Sequence, residues 1–389
     1  MERLAITGLG AISPVGLSVP EFWAGLCEGR SGVSFVDGFD TDKLRSNIAA
    51  SVPGFDPERW FSKKEASILG RVTHMSVAAA DEALRDAGLI GKGLIDDGRT
   101  DEEGGLAYDP DRIGCLMSTG QGSVDVFEEQ TGRSAARGPR AVSPFFIPAV
   151  MPNCGTAMVS IRYGLRGPSF NISSACATGT HSIVTAALHI LAGEADAMLA
   201  GGAEAATRLN TMAGFGNARA LARAFEGDPA RSSRPFDKRR SGFVMGEGAG
   251  ALVVERELSA TRRGARPLAY LVGWGQTSDG HHLTQPDPEA RGLVRAIERA
   301  LERAGIGPAD VDYINPHATS TVKGDAAEVQ ALRRVFGARL THIPISATKS
   351  MIGHLLGGAG AVESVGVVCA LRDQALHPSI NVDELESAF

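Results

Sequence analysis

No run of about 18 apolar residues occurs in the chain, so no segment reads as a membrane-spanning helix. The first residues, Met1-Glu2-Arg3-Leu4-Ala5-Ile6-Thr7-Gly8, lack the apolar core of a signal peptide. Paired cysteines are also missing. The five present, Cys27, Cys115, Cys154, Cys176 and Cys369, are scattered and odd in number, and none forms C-x-x-C. That pattern gives no zinc framework and fits a reducing, cytoplasmic setting. An excess of positive charge is absent too: the formal net charge of −6 argues against a nucleic-acid or general polyanion binder. Aromatics are sparse at 6%. What is abundant is glycine, 48 residues in 389, which implies many tight turns and close backbone approaches.

The chain is long enough for two fused halves. Leu4 to Gly10 reads as a buried strand ending in a Gly turn. Thr73 to Ala87 reads as a helix with Thr73 as N-cap, an Asp81–Arg85 pair at i,i+4 and Gly88 as its stop. Arg112 to Met117 reads as the next strand. The order recurs later, with a helix from Val294 to Ala304, a stop at Gly305 and a strand-like Val311 to Ile314. Ser174-Ala175-Cys176 then matches Ser346-Ala347-Thr348. Gly88 lies 86 positions before Ser174 and Gly305 lies 41 before Ser346, so the first half carries 45 extra residues. These are expected as a cap around 120–165. The expectation is an α/β duplication, residues 1–255 and 256–389, with a mostly parallel sheet in each half. The acidic, Gly-rich stretch from Ile95 to Leu106 reads as a solvated loop.

Cys176 sits where a short apolar strand meets a helix-prone run. A helix N-terminus there is expected to favour the thiolate and lower its pKa, and the Cys176 N–H can donate to an oxyanion. Of nine histidines, His317 and His354 stand apart, because each follows a buried strand in the second half, where open α/β sheets place their sites. Neither has a carboxylate or cysteine at ligand spacing, so a metal is not expected.

The motifs S-A-C-A-T-G-T (174–180), G-F-V-M-G-E-G-A-G (242–250), N-P-H-A-T-S-T (315–321) and K-S-M-I-G-H-L-L-G-G-A-G (349–360) strongly resemble those of the β-ketoacyl-acyl carrier protein synthases. Y-G-L-R-G-P-S (163–169) and R-P-F-D (234–237) extend the resemblance over the whole chain. It implies a thiolase-like duplicated fold layered α-β-α-β-α, a homodimer (or a heterodimer), and a Cys176–His317–His354 triad supported by Lys349 and Glu363. By the same resemblance Thr319 and Thr321 hold a phosphopantetheine arm, while Gln121, Phe215 and Phe243 contact substrate. Lys63, Lys64, Arg219 and Arg223 would dock an acidic acyl carrier protein. No cofactor is implied, since phosphopantetheine arrives on the carrier.

Three positions depart from the family pattern. Nothing like its terminal G-F-G-G-T-N loop follows Asn381-Val382-Asp383, so either the second half lacks its last strands, an oxyanion N–H and a gating Phe, or the sequence is a shortened form of a chain that has them. Pro316 and Ala318 flank His317 where Ala and Gly are usual. Gln121 replaces an apolar residue facing the acyl pocket. A polyketide ketosynthase and a non-catalytic partner subunit are the alternatives; Cys176 speaks against the second.

Overall fold

The computed structural model describes residues 3–91 and 106–386. The acidic loop expected over 95–106 lies outside these, apart from Leu106. The strands are β1 (Leu4–Ile12), β2 (Ser34–Phe35), β3 (Ile48–Ala50), β4 (Ile113–Ser118), β5 (Ala197–Glu204), β6 (Met245–Gly246), β7 (Gly248–Arg256) and β8 (Ala269–Leu271). The first-half helices are α1 (Val19–Cys27), α2 (Lys63–Ala66), α3 (Arg71–Asp86), α4 (Val124–Arg137), α5 (Phe146–Val150), α6 (Cys154–Tyr163), α7 (Thr178–Leu191) and α8 (Leu209–Asn217). Five more follow: α9 (Glu257–Arg262), α10 (Arg291–Ala304), α11 (Val322–Phe336), α12 (Lys349–Ile352) and α13 (Ala359–Asp373).

β1, β4 and β5 are wholly buried, as strands covered on both faces must be, and are apolar or small along their length except for Glu204 at the end of β5. On β5, Ala197 and Leu199 join a core with α3 and α6, while Met198 and Ala200 join the opposite core with α1, α7 and α13. The sheet runs β4-β5-β7-β1-β8. The sheet is mixed, as expected, but within it only β4–β5 is a parallel pairing and the other three are antiparallel, so parallel pairs are not the majority. The insertion of β7, antiparallel to both neighbours, between β5 and β1 causes this.

The duplication is built into backbone packing. A Cβ on Gly8 or Gly10 would come within 2.2 or 1.9 Å of the Ala83 or Ala79 carbonyl oxygen. In the second half, a Cβ on Gly273 or Gly275 would meet the Ala300 or Ala296 oxygen at 2.2 or 1.9 Å. Strand G-x-G against helix A-x3-A is therefore used twice, by β1 on α3 and by the 271–276 segment on α10. The two helices also satisfy strand groups that have no strand partner. Asp86 and Glu82 of α3 accept from the N–H groups of Leu9 and Ala11, beyond the reach of β8. Arg303, Arg299 and Arg295 of α10 donate to the carbonyls of Trp274, Gln276 and Ser278.

Three local expectations need correction. Helix α3 starts at Arg71 behind Gly70, and Thr73 lies buried inside its first turn, because the Asp125 carboxylate from α4 accepts the Arg71 N–H at 2.8 Å. The expected ion pair Asp81–Arg85 is present at 3.0 Å. Val311 to Ile314 forms no strand; the second half contributes one parallel bridge, Ile314–Ile345, matching Cys115–Ser169 in the first. Among the described residues no elements equivalent to β5 and β7 follow α13, so no second ladder assembles there. Finally, the counterpart of the Cys176 turn is not Ser346-Ala347-Thr348. It is the short 3-10 turn Leu356–Gly358 that enters α13, as Ala175–Ala177 enters α7. Both turns open on an L-residue with positive φ, Ala175 at +51° and Leu356 at +45°. Ser174 and Leu355 precede these turns by 86 and 50 positions from Gly88 and Gly305, so the first half's excess is 36 residues. It is smaller than 45 because Leu355, the residue before the true counterpart turn, lies nine positions beyond Ser346. α6, between the bridged residues Cys115 and Ser169 and packed on α3, corresponds to α11, between Ile314 and Ile345 and packed on α10, so the first-half insertion comprises α4 and α5.

Gly10→Ala and Gly275→Ala are each expected to destabilise the protein by about 1–3 kcal/mol or more, the cost of overpacking a tight contact. Gly132→Ala, inside α4 with open space around it, is expected to stabilise by about 0.5–1 kcal/mol. Denaturant titration of the three variants checks this, and unchanged midpoints for the first two would contradict the duplicated close packing.

Candidate active site

Cys176 is the middle residue of the 3-10 turn that leads into α7. His317 lies on the loop between the Ile314 bridge and α11, and Lys349 opens α12. His354 is fixed through its backbone: its N–H donates to the Val244 carbonyl at 2.7 Å, and its carbonyl accepts from Gly246 at 2.9 Å. The G-F-V-M-G-E-G run therefore serves as the rail that holds this histidine.

These elements bring three side chains together. His354 Nε2 is 2.9 Å from Cys176 Sγ, and one ligand atom from each of Cys176, His317 and His354 lies within 4.8 Å of the others. The imidazoles meet edge to face, with centroids 5.2 Å apart at 85°. Phe243 packs its ring 5.3 Å from His354 and the same distance from Phe215. Cys176, Phe215 and Phe243 belong to one apolar cluster with Met212 and Leu356. The nucleophile thus borders a surface suited to an acyl chain.

Burial governs the protonation states. Desolvation pulls the His354 imidazole well below its ordinary value, with His317 and Lys349 adding to it. His317 keeps accessible surface, yet desolvation followed by Lys349 brings it down to about 3. Its ring therefore has an open side beside packed protein that desolvates it. Both rings are neutral at physiological pH. His354 Nδ1 has no hydrogen-bond partner among the described residues. A proton there would be a buried donor without an acceptor, so the ring carries it on Nε2, facing the sulfur.

Cys176 departs from expectation. Burial pushes its thiol up, Glu204 and Glu363 add to the rise, and Lys349 with the backbone N–H of Cys176 itself opposes it. Desolvation outweighs the helix terminus, so the resting sulfur is a thiol beside a neutral imidazole. Lys349, 1% exposed, is ion-paired with Glu363 on α13. Burial also raises the Glu363 carboxyl, against the pull of Lys349.

The other expected residues are placed as follows. Thr319 and Thr321 share a hydroxyl–hydroxyl hydrogen bond of 3.0 Å on the His317 loop. Gln121 is exposed, and its Oε1 accepts from the Thr211 hydroxyl of α8 at 3.3 Å, so its amide has a polar partner. Lys63 and Lys64 are exposed on α2. Arg219 and Arg223 are exposed beyond the end of α8, and Arg223 donates to the Arg45 carbonyl.

Several buried carboxylates escaped the sequence reading. Glu328 accepts from the backbone N–H groups of His317 and Ala318 at 2.6 and 2.7 Å. It holds Ala318 at φ +21°, where an L-residue replaces glycine. Asp325 accepts from Ser320 and from Phe236 of the R-P-F-D motif. Both acids lie on one face of α11, three residues apart, and that spacing on a half-buried helix was the available signal. Glu204, at the end of β5, is the acceptor at the centre of a separate hydrogen-bond network.

A thiol, two neutral imidazole donors and an apolar wall on a duplicated α/β frame define a thiolase-like condensing enzyme. Residues 1–260 match the family description "Beta-ketoacyl synthase, N-terminal domain", and residues 268–383 match "Beta-ketoacyl synthase, C-terminal domain". The chain belongs to the beta-ketoacyl synthase family. It is 42% identical to the 3-oxoacyl-[acyl-carrier-protein] synthase 2 of Vibrio cholerae, over all of this chain and 90% of that protein. It is also 42% identical to the chloroplastic 3-oxoacyl-[acyl-carrier-protein] synthase I of Arabidopsis thaliana, covering 79% of it. Among solved structures, a beta-ketoacyl synthase from Burkholderia phymatum superimposes with a TM-score of 0.87 at 35% identity, covering all of this chain and 90% of that one. A type II polyketide ketosynthase, solved in complex with its acyl-carrier protein, gives a TM-score of 0.88 at 29% identity with the same coverage.

With both imidazoles pulled down by burial, neither should charge as pH falls from 8 to 5.5, whereas an ordinary histidine titrates near 6.5. Imidazole NMR resonances of His317 and His354, assigned with single variants, should keep neutral shifts across that range. A midpoint between 6 and 7 for either would contradict the placement.

Proposed function

We propose that this chain is a 3-oxoacyl-[acyl-carrier-protein] synthase that elongates an acyl chain by decarboxylative condensation. The observation that carries this is the Cys176–His354 contact of 2.9 Å with His317 beside it in a desolvated recess. The Cys176 sulfur attacks the carbonyl of an acyl thioester on a carrier protein. The new C–S bond forms as the carrier thioester breaks, and the thiol proton leaves with the phosphopantetheine sulfur. A malonyl thioester then occupies the same recess. His317 and His354 donate N–H groups to its thioester oxygen as the carboxylate departs as CO₂ and its bonding electrons form an enolate. The enolate carbon attacks the acyl carbonyl, and Cys176 leaves and regains a proton. Neutral imidazoles suit this step, because each keeps the N–H it must donate.

No resident cofactor enters this scheme. Thr319 and Thr321 are suited to the amides of the arriving phosphopantetheine. An acyl carrier protein is the partner, and Lys63, Lys64, Arg219 and Arg223 are the exposed cations suited to its acidic surface. A homodimer is proposed on the exposed apolar side chains of the insertion, Phe127, Phe145, Ile147 and Met151. The polyketide reading keeps one specific support, the polar Gln121, hydrogen-bonded to Thr211, at a position where the family resemblance leads one to expect an apolar residue.

His317→Ala and His354→Ala should still accept an acyl group on Cys176, while CO₂ release from malonyl carrier falls by roughly 10²-fold or more, the scale for losing one oxyanion donor. Radiolabelled CO₂ release against acyl-enzyme formation separates the two steps. Wild-type decarboxylation in both variants would overturn the assignment.

A further inference from the structure

Glu204 is the last residue of β5 and has no accessible surface. Among the described residues no cation pairs with it. Its carboxylate instead takes four neutral donors, two on each oxygen. Oε1 accepts from the Thr119 hydroxyl at 2.7 Å and the Gln121 N–H at 3.2 Å; Oε2 accepts from Gly120 at 3.1 Å and Gly357 at 3.0 Å. A buried carboxylate needs such satisfaction, and two glycines make it possible: a Cβ on Gly120 or Gly357 would come within 2.8 or 2.7 Å of Oε2.

The donors come from two places that both matter to the nucleophile. Thr119, Gly120 and Gln121 form the loop leaving β4, and the Gly120 carbonyl accepts from Ser173, three residues before Cys176. Gly357 occupies, in the second half's turn, the position that Cys176 occupies in the first. It lies three residues beyond His354. One carboxylate thus ties the strand carrying neither catalytic group to the loop beside the sulfur and to the turn behind the imidazole.

We propose that Glu204 is a positioning residue for the condensation, its carboxylate holding the 119–121 loop and the Gly357 turn in register with Cys176 and His354. The inference rests on the function proposed above. It also has an electrostatic consequence. The groups facing Cys176 are His354 and His317 on their loops, Lys349 on α12, Glu363 on α13 and Glu204 on β5. Glu204 raises the thiol, so removing its charge makes the thiolate easier to form.

Two variants test the two aspects, with iodoacetamide alkylation of Cys176 against pH as a readout independent of condensation. Glu204→Gln removes the charge and presents an amide N–H₂ to N–H donors. Its alkylation profile should move to lower pH while condensation falls by roughly tenfold or more, as expected for losing hydrogen bonds to a charged group. Thr119→Val keeps the charge and deletes one donor, so its alkylation profile should stay in place while kcat falls with KM for carrier thioester unchanged. An alkylation profile in Glu204→Gln identical to the parent's, or a parental kcat in Thr119→Val, would overturn the proposal. Should Glu204→Gln fail to fold, Thr119→Val still decides the positioning role. Loss of condensation in the parent itself would instead reject the proposed function.

Discussion

The constraint on which the rest depends is the approach of two equivalent turns, Ala175–Ala177 and Leu356–Gly358, one from each half of a duplicated chain. Each turn starts a buried helix, and each begins with a residue forced to positive φ. Their approach needs backbone without side chains: a Cβ on Gly179 would fall 2.7 Å from the Ala361 nitrogen. Because the turns meet, a sulfur from the first half and an imidazole from the second are held within hydrogen-bonding distance across 178 residues of sequence. Neither half holds the triad alone.

Much of this could be read from sequence, for physical reasons that differ by element. Glycine stops at Gly88 and Gly305 and the periodic helices before them report local backbone rules, and these carried over with the helix starts shifted by two and three residues and the ends by at most one. The Cys, His and Lys motifs were legible because few other residue types can do that chemistry. What stayed hidden was the long-range part. The start of α3 depends on Asp125, 54 residues away, which no local cap signal announces. The mixed pairing depends on where β7 inserts, and a buried strand has the same composition in either direction. Gly357 was missed as the partner of Cys176 because Ser346-Ala347-Thr348 resembled the nucleophile's flanks more closely than the true counterpart does. The state of the thiol was misjudged because a helix terminus is visible in sequence and desolvation is not.

The electrostatic design follows from that desolvation. Around the sulfur stand two neutral imidazoles, an ion-paired lysine and buried carboxylates whose lone pairs are taken up by backbone donors. Such a site keeps its nucleophile protonated at rest and its oxygen-binding N–H groups intact over a broad pH range. A thiolate–imidazolium pair would do the reverse, giving a more reactive sulfur while depriving the enolate of neutral, preorganised donors. The structure favours the second half-reaction, in which charge must be stabilised on substrate oxygen.

The central claim is that Cys176 carries the acyl group between the two half-reactions. It is tested most directly by intact-mass measurement after mixing the protein with an acyl carrier thioester and no malonyl donor. The account predicts a single acyl mass increment per chain, located by peptide mapping on Cys176 and discharged when malonyl carrier is added. A protein that gains no acyl mass, or gains it on another residue, would contradict the account and favour a non-catalytic partner subunit.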